Sequence, residues 1–162
     1  MSSLSGYQTN HREALLDLAL RAWSRVFPEL KQSVPTFVYE CFWPQGWETR
    51  QYTDLARLLD EESENIDVAI IGKKPVGWMC TRIHREDKML EIFVLVVDPN
   101  HQRQGIGKSL LDQAKERAKR SGMSMIMVET GDDPGHLPAR GFYEDRAFER
   151  WPVARYFLNL HD

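Results

Sequence analysis

The hexapeptide Gln102-Arg103-Gln104-Gly105-Ile106-Gly107 follows an apolar run and precedes a stretch with helical periodicity. A helix start presents backbone N–H groups that have no intrahelical partner, together with the positive end of the helix dipole. Glycines at 105 and 107 let an anion come against them. The chemistry such a junction offers is a cradle for a diphosphate, with Arg103 and Lys108 adding charge. Two common cradles are excluded by spacing. A Walker loop needs glycine five positions before Gly107-Lys108-Ser109, where Gln102 stands, and a dinucleotide fingerprint needs a third glycine where Leu110 stands.

The elements that must position this loop are legible around it. Glu91 to Val97 is β-rich and closed by Asp98-Pro99, while Ile106, Leu110, Leu111, Ala114 and Ala118 recur at helical spacing. About thirty residues on, Ala139, Phe142-Tyr143-Glu144 and Phe148 form a second motif. With Gln/Arg-x-x-Gly-x-Gly after a strand and Ala-x-x-Phe-Tyr-Glu following it, the chain resembles the GCN5-related N-acetyltransferases (GNAT) from about Ile66 to its end.

The resemblance implies an α/β fold with a mixed central sheet flanked by helices, an antiparallel meander first and then a parallel pair, Lys88 to Val97 and Met123 to Thr130, splayed at its C-terminal ends. It implies acetyl-CoA as co-substrate, with pantetheine pairing to main chain near Leu95, Val96 and Val97. The diphosphate would lie on Gln102, Arg103, Gln104, Gly105, Ile106, Gly107 and Lys108. An amine attacks only when neutral, and an alkylammonium has a pKa near 10.4, so a base must take its proton. Glu91 stands eleven residues before Gln102, as a glutamate does in the histone-modifying branch of the family. A backbone N–H of the cradle strand would stabilise the oxyanion, and Tyr143 would protonate the departing thiolate. Two departures stand out. His136 replaces an asparagine that contacts the cofactor in relatives, and Ala147 replaces a helix-ending glycine, so a left-handed cap there would cost about 1 kcal/mol or be absent.

The acceptor site is expected in the first helices and the loop between them. Tyr39, Glu40, Trp43 and Trp47, with Trp78, His84 and Glu129 from the sheet, would make an aromatic and acidic cleft for a cationic amine. Aromatics in a lid or a homodimer contact are the plainer account. The reaction expected is direct transfer of acetyl to a primary amine, of a small molecule such as an aminoglycoside or polyamine before a peptide N-terminus or lysine. An acyl-CoA sensor without turnover and a nucleotide-binding module are the rivals.

The rest of the sequence bounds these readings. At 162 residues with 42% hydrophobic residues the chain suits one domain, 1–65 supplying substrate-side helices and 66–162 the sheet, cofactor core and closing strands. A net charge of −3 argues against nucleic acid as partner. Cys41 and Cys80 have neither metal nor redox spacing, which suits a reducing cytoplasm, no metal, and no covalent enzyme intermediate. No apolar run approaches 18 residues and the first residues lack a signal peptide's pattern, so no membrane is expected. Helices are predicted from Asn10 to Phe27 and from Glu48 to Leu59, with a short one opened by Pro138. Trp151 to Leu160 reads as one or two strands.

Overall fold

The computed structural model describes residues 1–161. They divide into two compact units. The first holds residues 1–22 and 51–129, the second residues 23–50 and 130 onward. The division does not fall at residue 65, because the N-terminal strand and most of the first helix pack in the same unit as the sheet.

The first unit is built on five strands in chain order: β1 (Ser3–Gly6), β2 (Ile66–Ile71), β3 (Lys74–His84), β4 (Met89–Val97) and β5 (Met125–Val128). The first three pairings along the sheet are antiparallel and β4–β5 is parallel. Gly72 at φ +63 turns the β2–β3 hairpin, and β4 reaches β5 through α5 (Ile106–Arg120). Parallel neighbours need such a crossover. The predicted meander and parallel pair are therefore present. β1 is an addition; its four residues are too short to show alternation.

Side chains alternate across a strand, so consecutive residues of β3 report its two faces. A Cβ on Gly77 would lie 3.0 Å from Ile106 Cγ2, which puts α5 against that face. Thr81 accepts from Arg117 of α5 at 2.6 Å, on the same side. Trp78 points the other way, fully buried, and its Nε1 donates to Leu15 O of α1 (Arg12–Trp23) at 3.2 Å. The core between these layers includes Leu15, Leu16, Val68, Trp78, Leu110 and Leu111, all with essentially no exposure. At about 25 cal/mol per Å² of apolar area removed from water, each contributes on the order of 1.5–3 kcal/mol.

The second unit contains α2 (Phe27–Ser33), α3 (Thr36–Phe42), the start of α4 (Trp47–Glu61) and α6 (Leu137–Glu144). Pro28 sits in the first turn of α2, where its missing N–H costs nothing, so it opens a helix as well as ending the pattern before it. Phe27 stacks on Trp47 at 4.5 Å and 5°, and meets Trp43 edge-on at 5.2 Å. The closing strands expected over 151–160 do not form: no strand is assigned there among the described residues. Pro152 lacks a donor, and the second unit contains no strand with which an extended segment could build a ladder.

Candidate active site

The loop after β4 is built from its first residue. Asp98 accepts from the Asn100 backbone N–H at 2.9 Å, capping a single turn over Pro99–His101. Its two carboxylate oxygens take two nitrogens of Arg21, at 3.0 and 2.9 Å. Arg21 holds the Asp98 carboxyl far below the ordinary carboxylate range, against the opposing effect of burial. The chain then passes through positive φ at Arg103 (+62°) and Gly105 (+82°) before α5 begins.

A Cβ on Gly105 would meet nothing within 4 Å, so glycine is needed there for its backbone conformation and for access from outside. Gln102, Arg103, Gln104, Gly105 and Lys108 are exposed and Gly107 half-buried, whereas Ile106 turns its side chain into the core and offers main chain alone. Lys108 Nζ pairs with Asp112 at 2.6 Å, and Gln102 donates to Val97 O at 3.4 Å, closing the loop back onto β4. A surface of bared N–H groups with an exposed arginine and lysine beside it fits a diphosphate.

β4 leaves β5 early. Their ladder runs from Met89↔Met125 to Ile92↔Val128 and goes no further. Val94 to Val97 pair with β3 alone, so main chain at Leu95, Val96 and Val97 faces an open edge, with Val96 itself buried. An open edge of this kind accepts an extended amide-bearing chain.

The register of β3 on β4 shifts where Cys80 opposes Val94 and Thr81 opposes Ile92, leaving Phe93 as the extra residue of a bulge. The bulge exchanges the faces of β4. Val94 and Val96 lie opposite Cys80 and Trp78, on the α1 side. Before the bulge it is Glu91 that lies on that side, opposite Arg82, while Leu90 and Ile92 go beneath, toward α5. Glu91 Oε2 meets His84 Nε2 at 2.7 Å, across the diagonal of the same face. Arg82 does not compete for Glu91: it forks onto Glu62 at 2.6 and 3.0 Å and lies 3.6 Å over the Phe93 ring.

In the second unit, Tyr39, Glu40, Trp43 and Trp47 come together with Lys31 and Glu48 around an open cavity of about 590 Å³. Lys31 lies in the stretch from Pro28 to Gly46 that shows no periodicity, and Glu48 opens a predicted helix with nothing in the sequence to turn it toward these rings. Lys31 Nζ stands 5.2 Å from the Tyr39 ring centroid, so one ring of the cavity already hosts an ammonium. Tyr143 is packed between Phe142 and Phe148, and burial pushes its phenol up to about 12. His136 Nδ1 pairs with the buried Asp133 at 2.5 Å. Ala147 does adopt the left-handed conformation, at φ +64.

Not every expected residue reaches a surface. Trp78 belongs to the core, since its indole N–H is spent on Leu15 O and its ring is fully covered; it lines no cleft. Glu129 is exposed, one residue past the end of β5. Burial pushes the Cys80 thiol up to about 12, far from a nucleophile's range. No helix among the described residues is long and apolar enough to cross a membrane.

Comparison with known proteins agrees with this architecture. N-acetyltransferase 8 of Homo sapiens is 34% identical over 89 residues, which is 55% of this chain and 37% of that protein, so the match spans well under half of the relative's length. The PaiA N-acetyltransferase of Thermoplasma acidophilum, solved with coenzyme A, superposes with a TM-score of 0.73 at 16% identity, over 95% of this chain and 93% of that one. AAC(6')-Iy, solved with the bisubstrate analogue CoA-S-monomethyl-acetylneamine, superposes with a TM-score of 0.64 at 12% identity, over 98% of each. Residues 23–148 match the profile of the acetyltransferase (GNAT) family, and with strand, cradle, crossover helix and diverging parallel strand all in that family's order, this chain belongs to it.

Proposed function

We propose that this protein transfers acetyl from acetyl-CoA directly to a primary amine of a small cationic molecule. The observation that carries the reading is the cradle: a positive-φ glycine at the mouth of α5, exposed N–H groups after it, and an open β4 edge leading to it. Acetyl-CoA, when bound, supplies a thioester carbonyl activated toward amines. The N–H groups of Gln104 to Lys108 hold the diphosphate, with Arg103 and Lys108 as counter-charges. Main chain at Leu95 and Val97 aligns the pantetheine arm.

Glu91 draws the proton from the acceptor, directly or through a relay, and its setting between a half-exposed face and the core supports that role. Tyr143 is the proposed donor to the departing sulfur. A phenol pushed up to about 12 is a weak donor, and the role requires a thiolate whose basicity is raised by the same loss of water. His136 takes the place of the asparagine beside the cofactor. Tyr39, Glu40 and Trp43 are the proposed acceptor contacts, because rings and carboxylates around one cavity suit an ammonium group. His84 and Glu129 are proposed acceptor contacts on the sheet. Aminoglycoside and polyamine acceptors fit this chemistry.

The test is thiol release from acetyl-CoA by purified protein across polyamines, aminoglycosides, lysine peptides and peptide N-termini. Saturable release with small polycations is expected. Release with peptides alone would move the acceptor to the protein class, and tight acetyl-CoA binding without release to any amine would leave a sensor.

A further inference from the structure

We propose that His84 is a catalytic base of the transfer, its Nδ1 taking the proton of the acceptor ammonium while Glu91 fixes the ring and stabilises the imidazolium that forms. The inference rests on the acetyltransferase reading and assigns its proton-accepting atom.

The geometry gives each nitrogen of His84 a different task. An ionised carboxylate can only accept, so with the ring neutral the 2.7 Å contact with Glu91 Oε2 assigns the hydrogen to Nε2. Nδ1 is then a lone pair, and no partner for it exists among the described residues. The His84 side chain keeps 35% of its surface open and that of Glu91 keeps 19%. The imidazole is therefore the member of the pair that an acceptor can reach, and the carboxylate stands behind it. A carboxylate orienting a histidine whose far nitrogen is bare is the arrangement by which hydrolytic enzymes activate a nucleophile. Imidazole is also the stronger base of the two classes by about two pKa units in water, closer to what an ammonium proton demands.

The surroundings protect this arrangement. The charged groups facing the pair are Arg82, directly across from Glu91, and Glu62, and these are bound to each other. The register neighbours Met89 and Met127 carry no charge. Glu91 therefore has His84 as its sole side-chain partner among the described residues.

Protons and electrons balance as follows. The ammonium gives one proton to His84 Nδ1, and the freed lone pair forms the N–C bond as the C–S bond breaks. The nitrogen loses its second proton as the adduct collapses, and that proton replaces the one Tyr143 gives to the departing sulfur, so coenzyme A leaves as the thiol and His84 returns its own proton to water.

Four enzymes decide the matter: wild type, His84→Gln and Glu91→Gln, compared by pH profiles of kcat/KM for the acceptor at saturating acetyl-CoA, and His84→Ala, assayed with and without imidazole. His84→Gln should lower kcat at least 100-fold, abolish the acidic limb, and leave the KM for acetyl-CoA within about twofold. His84→Ala should regain activity with added imidazole. Glu91→Gln should cost less, about tenfold, and keep the acidic limb. In the free protein at neutral pH, the ring-nitrogen NMR shifts of His84 should report the Nε2–H tautomer, and that preference should be lost in Glu91→Gln. A full acidic limb in His84→Gln, with the limb lost in Glu91→Gln, would make Glu91 the base by itself and overturn the assignment. An Nδ1–H tautomer of His84 in wild type would overturn the pairing whatever the activity. Wild type inactive toward every amine would sink the acetyltransferase reading, and this role with it.

Discussion

Arg21 of α1 grips Asp98 at the end of β4 with two parallel hydrogen bonds, and the same carboxylate caps the turn that leads into the diphosphate cradle. One ion pair thus ties the first helix to the loop proposed to hold the co-substrate. Asp98 is fully buried, with His101 Nδ1 at 3.8 Å and Lys74 Nζ at 4.0 Å as the next nearest basic groups. Removing Arg21 would strand a buried charge, a change that costs roughly 3–5 kcal/mol for a closed pair and less here because Arg21 is partly exposed. Arg21→Ala is expected to lower unfolding free energy by about 2–3 kcal/mol in urea titration. A loss under about 0.5 kcal/mol would show that the pair contributes no more than a surface contact.

The same pair sets a pH dependence. Because Arg21 depresses the folded-state pKa of Asp98 below its unfolded value near 3.9, the stabilisation is full above that value. It is lost progressively as pH falls below it. Asp98→Asn should start from lower stability at neutral pH and lose less between about pH 4 and pH 2 than wild type does. Parallel acid limbs in the two proteins would remove Asp98 from the acid response.

Gly105 combines a positive φ with open space where a side chain would go. Gly105→Glu brings strain of about 1 kcal/mol and places a carboxylate where a diphosphate should lie. Calorimetry should show acetyl-CoA affinity falling at least 100-fold with the fold intact by circular dichroism. Unchanged affinity would move the diphosphate elsewhere.

Tyr143 tests the other end of the reaction. Tyr143→Phe keeps the ring packed between Phe142 and Phe148 and removes only the hydroxyl. If that hydroxyl protonates sulfur, kcat should drop about tenfold or more while the KM for acetyl-CoA stays within about twofold. An unaltered kcat would leave Tyr143 a packing residue.

Ala147 holds a left-handed conformation that disfavours any residue with a Cβ. Ala147→Gly should raise unfolding free energy by about 0.5–1 kcal/mol, the relief of strain exceeding the added flexibility of the unfolded chain. A lower Tm in that variant would mean that the alanine methyl makes contacts worth more than the strain.

The sequence determined the parts whose signals are local. Glycines at 105 and 107 after Asp98-Pro99, with helical spacing beyond, fixed strand, cradle and helix, because backbone conformation and amphipathic period are written within a few residues. Pro138 lies in the first turn of a helix for the same kind of reason, whereas an alanine at 147 left open whether the left-handed cap would form, and the fold decided that it does. What tertiary structure decided were the directions of side chains. Trp78 looked like a ring for a ligand and is core, since an indole on a central strand goes where α1 covers it. Glu91 reaches His84 only because the bulge at Phe93 reverses the alternation. Counted back from the buried Val94 and Val96 without it, Glu91 would face α5. A bulge depends on how two strands seat against each other across a turn, and Arg21 finds Asp98 from 77 residues away. Neither relation leaves a trace in any short window of sequence.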